Sequence, residues 1–268
     1  MKKPSGAFAV GLALLLVHGA PATVRGGQAL APTLADAKPG DVRLIATAAI
    51  RFPDAVVAAA EKAIGKKLVI QYGSARGNLK DTILKGQEFE VAILLPDVNE
   101  EIFKAGKILP ETHEIARVPI AFGLRGEAPG LDVSTPEAVR SALLKAKSVK
   151  YAPTGAALLT VKKVFSVLDI ADKVQDSSTA RAEVPLGPGE YEINIYPISE
   201  IIPNKALKNL GPVIAPLQVP SILQTVIGVH ANDQKAARAL TKFLQGPAID
   251  ETLKTTGMTK SVVDGTLK

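Results

Sequence analysis

The chain has 268 residues, of which 47% are hydrophobic, 4% are aromatic and 22% are charged, and it contains no cysteine. The length allows two domains of ordinary size, and the composition excludes a disordered, fibrous or disulfide-rich protein. The formal net charge is +6, but the basic residues are scattered singly or in pairs without interleaved aromatic residues. Because nucleic-acid binding uses clustered positive charge, this pattern argues against a nucleic-acid partner.

The N-terminal residues have the pattern of a secretory signal peptide. Two lysines precede an apolar stretch at residues 7–17, and small residues lead up to a predicted cleavage site after Ala22. The sequence therefore predicts a signal peptide at residues 1–22 and a leader at residues 23–40. The apolar stretch is shorter than the roughly 20 residues of a membrane-spanning helix. We therefore expect an exported, soluble, periplasmic protein with no membrane insertion.

Strands alternate with helices in the first half of the chain. Apolar runs at residues 42–46, 68–72 and 91–95 have the length and composition of buried strands. A helix is predicted from Pro53, at its first turn, to Gly65, at its end. Strands separated by helices predict a parallel sheet with helices on both faces.

Polar residues mark the start of the next two helices. After a predicted loop at residues 73–77, Asn78 is expected to cap the second helix. Asp97 is expected to cap the third, with Glu100 in the capping-box position and Gly106 at its end.

A second α/β series follows a long extended run at residues 115–124. Its helices begin at Thr135, which precedes a proline at the first helical position, and at Gly155. Residues 176–190 are rich in Ser, Pro and Gly and predict a loop. The remaining predicted elements are strands at residues 149–151, 193–196 and 222–230 and helices at residues 233–244 and 247–256.

Three loops composed mainly of small residues follow predicted strands, at residues 47–51, 73–77 and 154–157. In open parallel sheets, ligands bind at the carboxyl ends of strands, close to helix N-termini whose free N–H groups favour anions. Small residues let a ligand approach the backbone closely. The sequence therefore predicts an anion-binding cleft between two α/β lobes.

Several short motifs occur in a distinctive order: Ala-Thr-Ala-Ala at 46–49, Tyr-Gly-Ser at 72–74, Phe-Glu-Val-Ala-Ile-Leu at 89–94, Ile-Ser-Glu-Ile-Ile-Pro at 198–203 and Phe-Leu-Gln-Gly-Pro at 243–247. This order, over residues 40–260, resembles the molybdate-binding type of periplasmic solute-binding protein of ABC importers. The resemblance implies a two-lobed periplasmic binding protein type 2 fold, each lobe a mostly parallel sheet with helices on both faces. It also implies a small anionic ligand, a membrane permease as partner and a monomer.

The resemblance also implies domain boundaries and site residues. Lobe 1 would comprise residues 41–118 and 222–268, and lobe 2 residues 119–221, with the chain crossing between them near residues 115–124 and 219–229. The ligand-binding positions carried over from the family are Thr47, Ala48, Ala49 and Ile50 in the first loop, Ser74 in the second, Gly155 and Ala156 in the third, and Tyr196.

Two features depart from the family pattern. Molybdate binders of this type usually have a serine in the first loop where Ala49 stands, and two arginines, Arg51 and Arg76, lie beside or within the first two loops. A guanidinium presents a fork of donors that suits a carboxylate. These departures favour an organic carboxylate as the ligand, with a molybdate-like oxyanion as the alternative.

The broad group that the chain resembles also includes aconitate isomerase, which suggests an enzyme as the alternative. A proton shift in a polycarboxylate needs only one or two acid/base groups, for which Tyr196 and Glu200 are the candidates. Each candidate also has a structural interpretation: Ser74 as a turn residue, the arginines as surface charges, Tyr196 as a core residue and Glu200 as a helix-start residue.

The sequence contains few signals for other chemistries. Besides His18 in the predicted signal peptide, the histidines are His113 and His230, which do not form a metal-binding spacing. Neither a Gly-x-Ser-x-Gly nucleophile motif nor a phosphate-binding loop motif occurs. The sequence therefore predicts no metal site and no cofactor.

Overall fold

The computed structural model describes residues 34–179 and 183–268, which form two β-sheets with helices packed against them. The predicted signal peptide lies outside the described residues, as does the predicted leader up to residue 33. In chain order the strands are β1 (Val42–Thr47), β2 (Leu68–Gly73), β3 (Val91–Leu94), β4 (Ile108–Val118), β5 (Ile120–Gly126), β6 (Ser148–Tyr151), β7 (Tyr191–Pro197), β8 (Lys208–Pro212), β9 (Ser221–Gly228), β10 (Thr259–Lys260) and β11 (Asp264–Thr266).

The helices begin and end at residues that suit those positions. Thr135 caps its helix by accepting a hydrogen bond from the backbone N–H of Ala138, and Asp233 accepts one from Ala236. Gly65 ends the first helix in the left-handed conformation, with φ of 69°. In chain order the helices are α1 (Asp54–Ile64), α2 (Lys80–Leu84), α3 (Pro96–Lys104), α4 (Pro136–Lys145), α5 (Leu158–Val167), α6 (Ile198–Ile201), α7 (Gln234–Gln245) and α8 (Asp250–Thr255).

The large sheet has the strand order β10-β4-β9-β3-β1-β2, with β11 also paired to β4, and the small sheet has the order β6-β7-β5-β8. The pairs β1–β2, β1–β3 and β6–β7 are parallel, whereas β9 and β5 pair with their neighbours in antiparallel orientation. The chain passes from the large to the small sheet between β4 and β5 and returns between β8 and β9. The predicted α/β fold with two sheets is thus confirmed, but the expectation that each sheet is mostly parallel is wrong, because most neighbouring strands in both sheets are antiparallel. The strands β5 and β9 enter their sheets directly from the other sheet, without the helical crossover that joins parallel strands.

Each sheet has its own hydrophobic core. The core of the large sheet includes Leu44 of β1 and Ile93 of β3, and the core of the small sheet includes Phe122 of β5 and Ile193 of β7; all four are fully buried. Burial of this apolar surface is the main favourable contribution to the folding of each sheet. In the part of the chain that the structure describes, no helix is long and apolar enough to cross a membrane.

Side chains of β7 alternate between an apolar and a polar face. Ile193 packs in the core beneath α4 and α5, whereas Glu192 and Asn194 face the opposite side, as the pleat of a strand requires. The turn after α6 approaches this polar face closely, because a Cβ atom added to Gly123 of β5 would lie 3.0 Å from the side chain of Leu207. Apolar side chains of α6 and of the turn after it, Ile201 and Leu207, therefore cover part of this polar face.

Two predicted helix caps are wrong. Asn78 lies inside a π-helical turn, Ala75–Leu79, and its side-chain oxygen accepts a hydrogen bond from the backbone N–H of Ser74 at 2.8 Å. Asp97 lies in the first turn of α3 without capping it, and its carboxylate pairs with Arg76 at 2.7 Å. Both side chains have partners in the loop after β2, which a capping pattern along the sequence does not reveal.

Three predicted boundaries also differ from the structure. The extended run at residues 115–124 is part of two strands in different sheets, which Pro119 separates because proline has no N–H to donate to a strand partner. The helix predicted from Gly155 begins at Leu158, after a turn. The helix predicted at residues 247–256 is a short 3₁₀ turn followed by α8.

Candidate functional site

The first predicted loop leaves the carboxyl end of β1 and contacts the helix that follows β7. Thr47, Ala49 and Ile50 are buried, and the backbone N–H of Ile50 donates to the carbonyl of Thr47 at 3.2 Å. The hydroxyl of Ser199 in α6 donates to the carbonyl of Ala49 at 2.6 Å. This bond ties the end of a large-sheet strand to an element of the small sheet.

The second and third predicted loops are in direct contact. The hydroxyl of Ser74, after β2, donates to the carbonyl of Thr154 at 2.6 Å and lies 2.8 Å from the hydroxyl of the same threonine. The backbone N–H of Arg76 also donates to that carbonyl, at 3.1 Å. A Cβ atom added to Gly77 would lie 2.7 Å from Oγ1 of Thr154, so only a glycine permits this approach. We call the contacting segments 47–51, 74–77 and 154–156 the loop junction.

Arg76 is held by the protein itself. Its Nε and Nη2 donate to the carboxylate of Asp97 at 2.7 and 3.0 Å, and its Nη1 donates to the carbonyl of Gly155 at 2.8 Å. The side chain is only 11% exposed. In this arrangement the guanidinium bridges α3 and the loop before α5, and its fork faces a carboxylate of the chain rather than an open cleft.

The segment before α5 supplies backbone groups to the loop junction. Ala156 is buried, and its carbonyl accepts a hydrogen bond from the hydroxyl of Ser221 at 2.9 Å. Its backbone N–H has no acceptor among residues 34–179 and 183–268. Unpaired N–H groups at the start of a helix favour an anion.

Arg51 lies at the rim of the junction. It is exposed, and its guanidinium stacks on the ring of Tyr72 with 4.7 Å to the ring centroid. The hydroxyl of Tyr72 accepts a hydrogen bond from the backbone N–H of Phe52 at 3.2 Å. Arg51 forms no ion pair within the described part of the chain, so its charge is open to a ligand.

Tyr196 and Glu200 line a cavity of about 180 Å³ on the polar face of the small sheet. Neither side chain makes a hydrogen bond to the residues that the structure describes. Burial, and then the nearby charges of Glu200 and Glu192, raise the pKa of Tyr196 to about 12. Burial raises the pKa of Glu200 to about 7, against the opposing effect of Arg51. We call this space the small-sheet cavity; its walls include Arg125, Lys150, Glu192, Asn194, Tyr196 and Glu200.

The pKa of a second carboxyl in the same cavity, that of Glu192, shifts in the opposite direction. Burial acts to raise the pKa of Glu192, but hydrogen bonds from Arg125 and Ser148 outweigh it, and the pKa is lowered. These bonds measure 3.1 Å from Nε of Arg125 and 2.6 Å from the hydroxyl of Ser148. Glu192 is thus a paired carboxylate, whereas Glu200 is poised to exchange a proton near neutral pH.

The structure brings most of the predicted positions together and adds some that the sequence reasoning missed. The second and third loops meet through Ser74 and the added residue Thr154, and the first loop meets the second through the bond from the N–H of Ala48 to the carbonyl of Gly73. The first loop also meets α6 through the added residue Ser199. Thr154 lies in the predicted loop 154–157, and Ser199 lies in the motif at 198–203. Their hydroxyl groups, within segments already assigned to the site or to the family pattern, were the signal that could have identified them. The sequence predicts Asp97 only as a helix cap, because its pairing with Arg76 joins segments 21 residues apart in sequence.

Solved structures of solute-binding proteins have the same fold. The substrate-binding domain of a putative molybdenum ABC transporter from Clostridium difficile and the periplasmic molybdate-binding protein from Azotobacter vinelandii give TM-scores of 0.57 and 0.58, each at 16% identity over 82% of this chain and 99% of the other. The sulfate-binding protein from Mycobacterium tuberculosis H37Rv gives 0.60, at 14% identity over 82% of this chain and 87% of the other. The chain therefore has the fold of periplasmic binding proteins.

The family follows from the sequence itself. The chain belongs to the family described as bacterial extracellular solute-binding protein, whose sequence model matches residues 42–259. It is also 20% identical over 212 residues to an aconitate isomerase from Pseudomonas sp., an alignment that covers 76% of this chain and 81% of that protein.

Proposed function

We propose that this protein captures a small anion between two lobes and presents it to the membrane permease of an ABC importer. Lobe 1 comprises residues 41–118 and 222–268, and lobe 2 comprises residues 119–221. Family membership supports the binding function, and the molybdate- and sulfate-binding proteins of similar fold support an anion as ligand. The predicted signal peptide supports action in the periplasm, where we expect a monomer.

The meeting of Ser74 with Thr154 carries this proposal. The two hydroxyl oxygens lie 2.8 Å apart although one follows a large-sheet strand and the other a small-sheet strand. A ligand that binds there contacts both lobes and stabilises the form in which they are together. The binding groups are the side chain of Thr47, the backbone N–H groups of Ala49 and Ala156, and the hydroxyl of Ser74, which gives up its bond to Thr154 when it donates to the anion. The N–H groups of Ala48 and Gly155 already donate to the carbonyls of Gly73 at 2.8 Å and Ala152 at 3.0 Å, so they position the loops.

The two arginines have different roles in this proposal. Arg51 is exposed at the rim and attracts the anion through its charge. Arg76 positions the loops, because its donors hold Asp97 and the carbonyl of Gly155. Selection of a carboxylate therefore depends on Arg51 and on Tyr196, whose hydroxyl is unpaired within the described residues.

A thermal-shift screen followed by calorimetric titration tests the binding function. The mature protein is mixed with molybdate, sulfate, phosphate, citrate and a series of dicarboxylates. A ligand at 100 times its dissociation constant adds about 2.7 kcal/mol to the free energy of unfolding, which gives a visible rise in melting temperature. Ser74→Ala is expected to weaken the binding of the active anion about 10-fold through loss of one hydrogen bond.

Ser166→Ala is the matched control, because Ser166 is exposed on α5 and away from the loop junction. Its affinity should equal that of the unmodified protein. If none of these anions stabilises the protein, the proposed site is wrong. It is also wrong if Ser74→Ala and Ser166→Ala both bind the anion as tightly as the unmodified protein does.

A second candidate function, a polycarboxylate isomerase, is favoured by Glu200 and Tyr196. A general base works best when its pKa is near the operating pH, and the pKa of Glu200 is raised to about 7. In this reaction Glu200 removes a proton from a carbon beside a carboxylate, the double bond shifts by one position, and the proton is returned at the far carbon. The similarity to an aconitate isomerase supports the same chemistry.

Proton NMR in deuterium oxide separates this reaction from simple binding. The protein is incubated with cis-aconitate and, separately, with trans-aconitate. An enzyme converts one isomer into the other or exchanges carbon-bound protons, and Glu200→Gln removes this activity. Binding without conversion or exchange favours the solute-binding function.

A further inference from the structure

Lys150 has no assigned role, yet it lines the small-sheet cavity. It is half-buried on β6, and its ammonium group forms no hydrogen bond or ion pair with residues 34–179 or 183–268. Tyr196 and Glu200 in the same cavity also lack hydrogen-bond partners within the described residues. All three side chains are half-buried, so their polar groups can contact water or a ligand that enters the cavity. Three polar groups around one space without a partner in the described part of the chain are therefore open to a ligand.

The position of Lys150 is set by strand pairing. β6 and β7 run parallel, and Lys150 lies opposite Asn194, so both belong to the polar face of the small sheet. Tyr196 is two residues further along β7, a rise of roughly 7 Å toward the loop junction. A ligand that touches the junction must therefore extend past Tyr196 to reach Lys150.

The charges around the cavity leave Lys150 as its available cation. Arg125 pairs with Glu192 at 3.1 Å, which neutralises both groups. The side chain of Glu183 is 69% exposed and points its charge largely into solvent. The cavity volume of about 180 Å³ is several times the roughly 30 Å³ that one water takes in the liquid. The space therefore suits an organic group larger than a water. It suits a negative charge in the form in which Glu200 holds its proton, because the carboxyls of the lining otherwise outnumber its two cations.

We propose that the small-sheet cavity receives the second acidic group of a dicarboxylic or longer organic acid, with Lys150 as the cation that binds it. The proposal rests on the proposed function, because the first acidic group binds at the loop junction. Asn194 and Tyr196 lie beside the bound carboxylate. A tetrahedral oxyanion lacks the length to contact both places, so Lys150 selects an elongated acid over molybdate or sulfate.

Matched pairs of acids test this proposal. Malonate, succinate, glutarate and adipate are each compared by calorimetry with the monocarboxylate of the same carbon number: propionate, butyrate, valerate and hexanoate. We expect at least one diacid to bind at least 10-fold more tightly than its monoacid. Lys150→Met should weaken the binding of that diacid by about 10- to 100-fold, the range for a lost charge-assisted hydrogen bond, and leave monoacid binding unchanged.

Lys162→Met is the matched control, since it removes the same charge from an exposed position on α5. Circular dichroism and the melting temperature verify that both variants are folded. The proposal is overturned if monoacids, molybdate or sulfate bind as tightly as every diacid, or if Lys150→Met weakens diacid binding no more than Lys162→Met does. In that outcome the proposed function still stands. If no anion binds the unmodified protein, the proposed function itself fails.

Discussion

The loop junction and the small-sheet cavity are both polar, but they use their polar groups differently. In the junction Ser74 is bonded to Thr154, and Arg76 is bonded to Asp97. In the cavity Tyr196, Glu200 and Lys150 have no hydrogen-bond partner among the described residues. Hydrogen bonds within the junction therefore fix the loops around the backbone N–H of Ala156, which has no acceptor in the described residues, whereas the cavity leaves side-chain polar groups open to a ligand.

The same contrast occurs within the cavity. Glu192 and Glu200 both lie on its walls, yet the pKa of one is lowered and the pKa of the other is raised. Burial acts upward on both, so the difference comes from the hydrogen bonds that Arg125 and Ser148 give to Glu192 alone. Neighbouring donors, rather than depth, decide which carboxyl stays charged.

The largest expected effect is the loss of Arg125. Arg125→Met leaves the carboxylate of Glu192, which is 1% exposed, without its cation. Breaking a buried pair in this way costs about 3–5 kcal/mol of unfolding free energy. Urea denaturation measures it, with Arg238→Met as control, because the pair of Arg238 with Glu111 is partly exposed and is worth about 1 kcal/mol or less. Equal losses in the two variants would contradict the pairing described for Glu192.

Glu200→Gln is expected to change how stability depends on pH. Because its pKa is raised from 4.5 to about 7, folded Glu200 holds its proton more tightly than unfolded Glu200 does. The unmodified protein should therefore lose stability as pH rises from 4.5 to 7, by up to about 3 kcal/mol. The groups facing this carboxyl are Arg51, Tyr196, Glu192 and Lys150.

Urea denaturation at pH 4 and at pH 8 measures this effect. The Glu200→Gln variant should match the unmodified protein at pH 4 and exceed it at pH 8. Glu100→Gln, at an exposed position on α3, serves as control for the loss of one charge. If the difference in unfolding free energy between Glu200→Gln and the unmodified protein is the same at both pH values, the pKa of Glu200 is not raised by folding.

The smallest effect compares two tyrosines of β7. The hydroxyl of Tyr191 donates to the carbonyl of Ala142 at 2.9 Å, whereas that of Tyr196 has no partner in residues 34–179 and 183–268. Tyr191→Phe should cost about 1 kcal/mol of unfolding free energy, and Tyr196→Phe less than about 0.5 kcal/mol. Urea midpoints of the two variants give the comparison directly. A larger loss for Tyr196→Phe would mean that its hydroxyl is used by the protein and not kept for a ligand.

Much of the fold could be predicted from periodicity and turn residues. The strands β1, β2, β3 and β9 are long apolar runs, and Gly65, Thr135 and Asp233 act at the helix ends as predicted. The strands β8, β10 and β11 escaped prediction because they are short and carry few apolar residues. Their pairing depends on partners far away in sequence, which a local pattern does not contain.

The candidate site was predictable as a set of loops, but the behaviour of single side chains was not. Arg76 was expected to face a ligand carboxylate, and it faces Asp97 instead. The sequence around Lys150 contains no signal for a site, because the residue lies in a short predicted strand. Only the tertiary structure places it in one cavity with Tyr196 and Glu200. Charge and spacing along a chain do not reveal which opposite charge lies across the fold.

The sequence by itself determined the alternation of strands and helices, the loops of small residues at strand ends, and the family to which the chain belongs. Those features depend on local propensity and on hydrophobic pattern, which act over a few residues. Tertiary structure alone decided which polar groups have partners. Pairing depends on distances of about 3 Å between residues remote in sequence, and it separates a carboxyl such as Glu192 from one such as Glu200.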